Sequence, residues 1–435
     1  MRRLTPAAKV VVLTLAVAGL SLGIAACGGD DDDDGGGETS LDLVVGDSVP
    51  LSGDLAPFGP PGQKAADIAV DQINAAVEDA GVDHTVSVVH EDNCGGADQQ
   101  CAVQAARKLV DSDGASCIAG AWASADTIPT AESVAIPEGV LVISPASTSD
   151  EITGLEDDGL VNRTAPPDSF QGPTLSSYLV EKALGGAQGA TVNVGARNDA
   201  YGTGLADTFS AAWEDAGGQI GQEVIYDIDL PNYDSEAQQL VSGNPDGLVI
   251  IDFPDTYNKV GPALVRAGFD PSTTFVTDGL ITDLSDAGEE AVDGLRGTAP
   301  GIPDQEDKKF DQLWNQSSID PNVERQTFDA QNFDAVVLCY LAAVAAGSTD
   351  GQDMADVVRD VSAPPGDQFT WEQLPDAIEA LQNGDDIDYQ GASGPVDMDE
   401  AGDATAGVYD IYEFDGLEPT AVDEIEVAPP SGGGG

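Results

Sequence analysis

Residues 41–90 read LDLVVGDSVPLSGDLAPFGPPGQKAADIAVDQINAAVEDAGVDHTVSVVH, and the recurrence of apolar positions along this stretch decides the fold. Residues 41–48 form a short, mostly apolar run closed by a Pro-, Gly- and Ser-rich turn, which reads as a strand. Over residues 63–80, Ile68, Ile73 and Val77 fall near one face of a helix. Residues 85–90 then alternate as a second strand. Strand, helix and strand in this order imply a parallel sheet covered by helices.

The rhythm continues outward. A helix is expected over 98–110, strands over 116–120 and 140–143, and a break over 162–167. The pattern then restarts with a helix over 170–184, a strand over 190–195 and a helix over 205–216. Strands over 220–227 and 247–251, a helix over 257–267 and a strand near Phe275 follow. After a second break near 297–303, residues 324–346 form the longest helical stretch, and 371–382 another. The expected class is α/β, with two doubly wound parallel-sheet domains and a cleft between them.

Composition narrows the function. Sixteen Lys and Arg against 78 Asp and Glu give 435 residues a formal charge of −62. A nucleic-acid partner needs clustered basic residues to displace counterions from its phosphates, so none is expected. Docking on an anionic membrane through a basic patch is disfavoured for the same reason. Only two histidines are present, which leaves little room for a multi-His metal centre or a His-based triad. No cofactor is expected.

Residues 1–26 read as an export signal: Arg2, Arg3 and Lys9 precede an uncharged, largely apolar run that ends in small residues. The run closes on Leu22-Gly23-Ile24-Ala25-Ala26-Cys27, which resembles a bacterial lipoprotein box. That resemblance implies acylation of Cys27 and anchoring on the outer face of the cell membrane. An ordinary secretory signal with a chance cysteine, or an uncleaved anchor, is the alternative. Residues 27–40, with five consecutive aspartates, read as a disordered acidic tether, and residues 428–435 as a disordered tail.

Several short stretches, in order, carry a more specific resemblance. They are Val49-Pro50-Leu51-Ser52-Gly53, Phe58-Gly59, Gly62-Gln63-Lys64-Ala65-Ala66 and Ala106-Arg107-Lys108-Leu109-Val110. Ile143-Ser144-Pro145-Ala146-Ser147-Thr148-Ser149, Asp199-Ala200-Tyr201-Gly202 and Gly391-Ala392-Ser393-Gly394-Pro395-Val396 complete the set. Together they resemble the periplasmic leucine/isoleucine/valine-binding proteins, the solute-binding subunits of ABC importers. The resemblance implies two α/β lobes joined by three hinge crossings, closing on a ligand. Residues 41–163 with 301–391 would form one lobe, and 164–300 with 392–427 the other.

Carried over by position, the resemblance assigns a ligand carboxylate to Ser124 and the backbone around Ala146 and Thr148. Asp278 would meet the ligand ammonium, and Phe58, Tyr201, Phe253 and Phe328 would supply aromatic walls beside Trp122. Phe58 and Phe253 stand where the family often has tyrosine, and Asp278 is one methylene shorter than the family's glutamate. The expected ligand is therefore a branched-chain amino acid or a related small amino acid or amide. The expected partners are ABC permease subunits in the membrane.

Cys94 and Cys101 flank a glycine-rich turn and suit a small-loop disulfide; the resemblance places the usual partner of Cys94 at Ala123, so the pairing must differ. Cys117 and Cys339 read as unpaired core thiols. The run His90-Glu91-Asp92-Asn93-Cys94, with Cys101 and His84 as further ligands, invites a zinc reading, but the spacing fits no standard site. Two other functions compete: a ligand sensor for a membrane signalling protein, and an α/β hydrolase, which the missing nucleophile motifs disfavour.

Overall fold

The computed structural model describes residues 40–427, so the expectations for the signal, Cys27, the tail and all but the end of the tether lie outside the described residues. The first lobe is built on five parallel strands, β1 (Leu41–Val49), β2 (His84–Asp92), β3 (Cys117–Ala119), β4 (Leu141–Ser144) and β5 (Val161–Arg163). Their spatial order is β2-β1-β3-β4-β5, with Leu41 opposite His84 and Val49 opposite Asp92.

The remaining strands are β6 (Thr191–Arg197), β7 (Gln219–Tyr226), β8 (Gly247–Ile251), β9 (Thr274–Val276) and β10 (Arg296–Pro300). After them come β11 (Asp367–Thr370), β12 (Ile387–Gly391), β13 (Gly394–Pro395), β14 (Gly407–Asp415) and β15 (Glu418–Val427). The second lobe orders seven of them as β15-β14-β10-β9-β8-β6-β7. β11, β12 and β13 form a small separate sheet. The chain passes between the two large sheets after β5, after β10 and again before β14.

The second sheet departs from the all-parallel expectation at one edge, where β10, β14 and β15 pair antiparallel. β15 is exposed or half-buried along its whole length and rich in acids, so it shows no apolar alternation. A two-strand hairpin at an edge needs no crossover helix, and the strand–helix rhythm is silent about it.

Helix Gly59–Ala80 begins four residues before its expected start at residue 63. Pro60 and Pro61 sit in its first turn, where no intrahelical N–H bond is lost. Its buried face, including Ile68 and Ile73, packs with Leu43 and Val45 of β1 and with helix Asp329–Ala346. That second helix is buried continuously from Asp329 to Val344, as a central element must be. It does not reach back to residue 324: Phe328 adopts a left-handed backbone (φ 73°), and Arg325 is held by Asp307, Asp311 and Asp329. The 22-residue helix Gly59–Ala80 is therefore the longer of the two.

One expectation is overturned outright. Cys117 on β3 and Cys339 in helix Asp329–Ala346 are not free thiols but form a disulfide, their Cα atoms 5.9 Å apart across 222 residues of sequence. Both lie in the same apolar layer, because the helix crosses directly over the first sheet. Cys94 and Cys101 are bonded to each other, with Cα atoms 6.0 Å apart.

Candidate ligand-binding site

Parallel α/β sheets present their functional loops at the carboxyl ends of the strands. Residues 121–124 follow β3, residues 145–149 follow β4, Tyr201 follows β6, Phe253 follows β8 and Asp278 follows β9. These loops from two separate sheets meet around one narrow cavity. Leu55, Phe58, Trp122, Ala123, Ser124, Ala146 and Phe328 line it from the first lobe. Tyr201, Phe253, Asp278 and Gly279 line it from the second.

The structure thus brings eight of the nine nominated residues around one cavity. The ninth, Thr148, is fully buried one step behind Ala146, and its hydroxyl has no hydrogen-bond partner among the described residues. Ser124 is the first residue of helix Ser124–Thr130, whose N-cap is Ala123, so its hydroxyl is not spent on capping. Its oxygen instead accepts from the Ser149 N–H at 3.2 Å, which leaves its own proton to donate.

The loop that carries Ala146 and Thr148 is tied down on both sides. Ser144 Oγ donates to the Ala121 carbonyl at 2.6 Å, and Ser147 Oγ to the Trp122 carbonyl at 3.0 Å. From below, the buried Arg163 guanidinium donates to the Ser147 and Ser149 carbonyls, at 3.2 and 2.8 Å, and to Asp403 at 2.6 Å.

Across the cavity, Asp278 accepts from Gln171 Nε2 at 2.8 Å and from the Tyr201 hydroxyl at 3.0 Å. Burial pushes its carboxyl up to about 6, and these two donors only partly oppose the shift. Tyr201 stacks on Phe253 with centroids 4.8 Å apart, and the Arg197 guanidinium lies 3.9 Å from the centroid of the Phe253 ring. Phe328 meets Phe58 at 6.5 Å and the Trp122 ring edge-on at 6.3 Å. A bulky residue held in the left-handed region at a cavity wall stores local strain of about 1–3 kcal/mol.

One acid of this region escaped the sequence reading. Asp168, at the start of helix Asp168–Tyr178, is fully buried, and neither carboxylate oxygen has a hydrogen bond of normal geometry among the described residues. Burial raises its pKa far above the ordinary value, the Thr148 hydroxyl opposes this, and the Asp278 charge adds to it. As one acid among 78, it carries no local signature. The zinc donor set is not assembled: Cys94 and Cys101 are oxidised, His90 bonds Asp47 and Asp67, and His84 bonds the Tyr340 hydroxyl.

Two sheets with inward-facing loops around one shared cavity define a two-lobed solute-binding protein. The chain belongs to the periplasmic leucine/isoleucine/valine-binding protein family: the periplasmic binding protein family model matches residues 43–416. Membership makes it an exported binding protein rather than an enzyme. It is similar to a Leu/Ile/Val-binding protein homolog from Brucella abortus, 26% identical over 327 residues, covering 73% of this chain and 82% of that one. A leucine-, isoleucine-, valine-, threonine- and alanine-binding protein from Pseudomonas aeruginosa is 26% identical over 316 residues, 71% of this chain and 80% of its own. The fold is shared with the substrate-binding protein LivJ of Streptococcus pneumoniae, solved with isoleucine: TM-score 0.70, 21% identity, 88% of this chain and 99% of that one.

Proposed function

We propose that this protein is the lipid-anchored capture subunit of an ABC importer, binding a small amino acid between its lobes and presenting it to permease subunits. One observation carries the reading. A single cavity is walled by both sheets, with the Ser124 hydroxyl contributed by one lobe and the Asp278 carboxylate by the other. A zwitterion suits this arrangement, its carboxylate toward Ser124 and Thr148 and its ammonium toward Asp278. The relatives named above are named for, or solved with, small amino acids, which supports the same class. Anchoring through Cys27 rests on the lipoprotein-like segment at 22–27.

Titration calorimetry with amino acids, their amides and amine-free carboxylic acids tests the reading. Amino acids should bind, and removal of the amine should abolish binding, because Asp278 would then face an unneutralised anion. Equal affinity for an amine-free acid would overturn it.

A further inference from the structure

Outside the cavity wall, a short covalent ring reaches three of its residues. The Cys94–Cys101 disulfide closes a loop with a sequence separation of 7. Inside that ring Gly95 and Gly96 both adopt left-handed backbone, at φ 47° and 81°. The Gly95 carbonyl accepts the Leu55 N–H at 3.2 Å. A Cβ built on Gly96 would stand 3.1 Å from Phe253 Cε2 and 3.3 Å from the Ala123 Cβ. Leu55, Ala123 and Phe253 all line the cavity, and Phe253 belongs to the second lobe. The ring therefore sets first-lobe backbone directly against the opposite side of the cleft.

Two ties hold it there. Its far end, Cys101, lies in helix Gln99–Asp111, whose Ala106 and Leu109 are rooted in an apolar core of the first lobe. Its inner face is held by the buried Asp126, whose Oδ2 receives the Gly96 N–H at 2.6 Å. Asp126 stands in the first turn of helix Ser124–Thr130, two residues after Ser124. Helix Gln99–Asp111 does not need the bridge to start, because Asp98 already caps it, accepting the Gln100 N–H at 2.9 Å. So short a ring also restricts the unfolded chain less than a long one does. What it does restrict is a Gly-Gly pair, the residues with the widest backbone freedom.

We infer that the Cys94–Cys101 bridge and Asp126 are positioning groups for ligand binding: they hold Gly95-Gly96 as a firm abutment for Leu55 and Phe253, and so retain the ligand once the lobes close. None of the three residues lines the cavity, so they act through the loop. A contact made across the cleft exists only in the closed form. It slows opening and leaves the first encounter with ligand alone, so its effect falls on release. This rests on the amino-acid reading above and deepens it.

The test is stopped-flow measurement of association and release, with leucine, alanine and asparagine as probes. Opening the ring in the double variant Cys94→Ser, Cys101→Ser should speed release by about tenfold and change association by no more than about twofold. Opening the other bridge, in Cys117→Ala, Cys339→Ala, should leave release within about twofold of wild type although it costs more stability. Release unchanged in the first variant, or accelerated equally in both, overturns the inference. Asp126→Ala should also speed release, whereas Asp126→Asn, which keeps an oxygen for the Gly96 N–H, should not. Burial pushes the Asp126 carboxyl up to about 8, so asparagine matches its neutral form near neutral pH. That pair decides the matter alone should the cysteine variant fail to fold, and equal release rates in the two overturn the inference. Amino-acid binding with release indifferent to the ring and to Asp126 sinks this inference alone. No amino-acid binding at all sinks the reading beneath it and this inference with it.

Discussion

Arg197, at the end of β6, donates to Asp54 of the first lobe at 2.8 Å, and both side chains are buried. The same guanidinium pairs with Asp199, approaches Asp252 at 4.0 Å and lies over Phe253, the ring that stacks on Tyr201 in the cavity wall. One cation therefore links the opposite lobe to the ligand wall. Asp54→Asn removes the charge that crosses the cleft while Arg197 keeps its two partners on its own side. Loss of a buried charged partner acts mainly on dissociation, so ligand release should speed up by about tenfold or more with association little changed. Stopped-flow measurement of both rates checks this, and an unaltered release rate would show that Asp54 does not hold the closed form.

Asp278 sets a pH dependence with a definite sign. Its carboxyl is held up at about 6 by burial, and only the ionised form attracts an ammonium. Affinity for an amine-bearing ligand should be level above pH about 7 and fall by up to about tenfold per pH unit below 6. In the unliganded protein the folded value lies above the ordinary 3.8, so the folded state binds the extra proton and this group destabilises the fold as pH rises through that window. The ligand's ammonium relieves that cost, so the melting-point gain on binding should be greater near pH about 7.5 than near about 5. Asp278→Ala should weaken binding by about 2–5 kcal/mol and flatten the profile; unchanged affinity in calorimetry would remove Asp278 from the site.

The sequence made legible the parts of the molecule whose chemistry is local. β8 spans the expected residues, 247–251, because a strand buried on both faces reads as an unbroken apolar run between turns. β15 was invisible because its side chains face water and its order comes from pairing with β14. Phe58, Ala146 and Tyr201 were reachable because they lie in short stretches resembling a known family, and the remaining cavity residues because the same resemblance assigns them by position between those stretches. Asp168 was not, since its importance comes from facing Thr148 and Asp278, which are distant in sequence. The Cys117–Cys339 bond was missed for a related reason: nothing local shows that the helix lies over β3.

His90 offers a stability test away from the cavity. Burial alone would lower its pKa, but hydrogen bonds to Asp47 at 2.7 Å and Asp67 at 3.2 Å raise it to about 10. A raised histidine contributes stability that is complete below its unfolded value of 6.5 and is lost as pH climbs through about 10. Asp47 is itself pushed up by burial, so the net gain is smaller than the histidine shift alone suggests. His90→Gln should cost about 2 kcal/mol in urea unfolding at neutral pH, with the gap to wild type closing towards pH about 10. A gap that stays constant across that range would mean that the imidazolium is not what matters.

The Cys117–Cys339 bond should be the strongest single constraint on the first lobe. It joins β3 to helix Asp329–Ala346 and closes a long stretch of chain, with 222 residues between the two positions in sequence. Cross-linking removes conformations from the unfolded chain, and the effect grows slowly with loop length. Both sulfurs lie in a fully buried layer, so replacement by alanine also leaves a small void. The double variant Cys117→Ala, Cys339→Ala should lose about 2–5 kcal/mol, whereas opening the short Cys94–Cys101 loop, with its sequence separation of only 7, should cost less. Urea unfolding of the two double variants side by side decides the order. An equal or larger loss from the short loop would show that the residues around Cys94, rather than chain-wide closure, dominate disulfide stabilisation here.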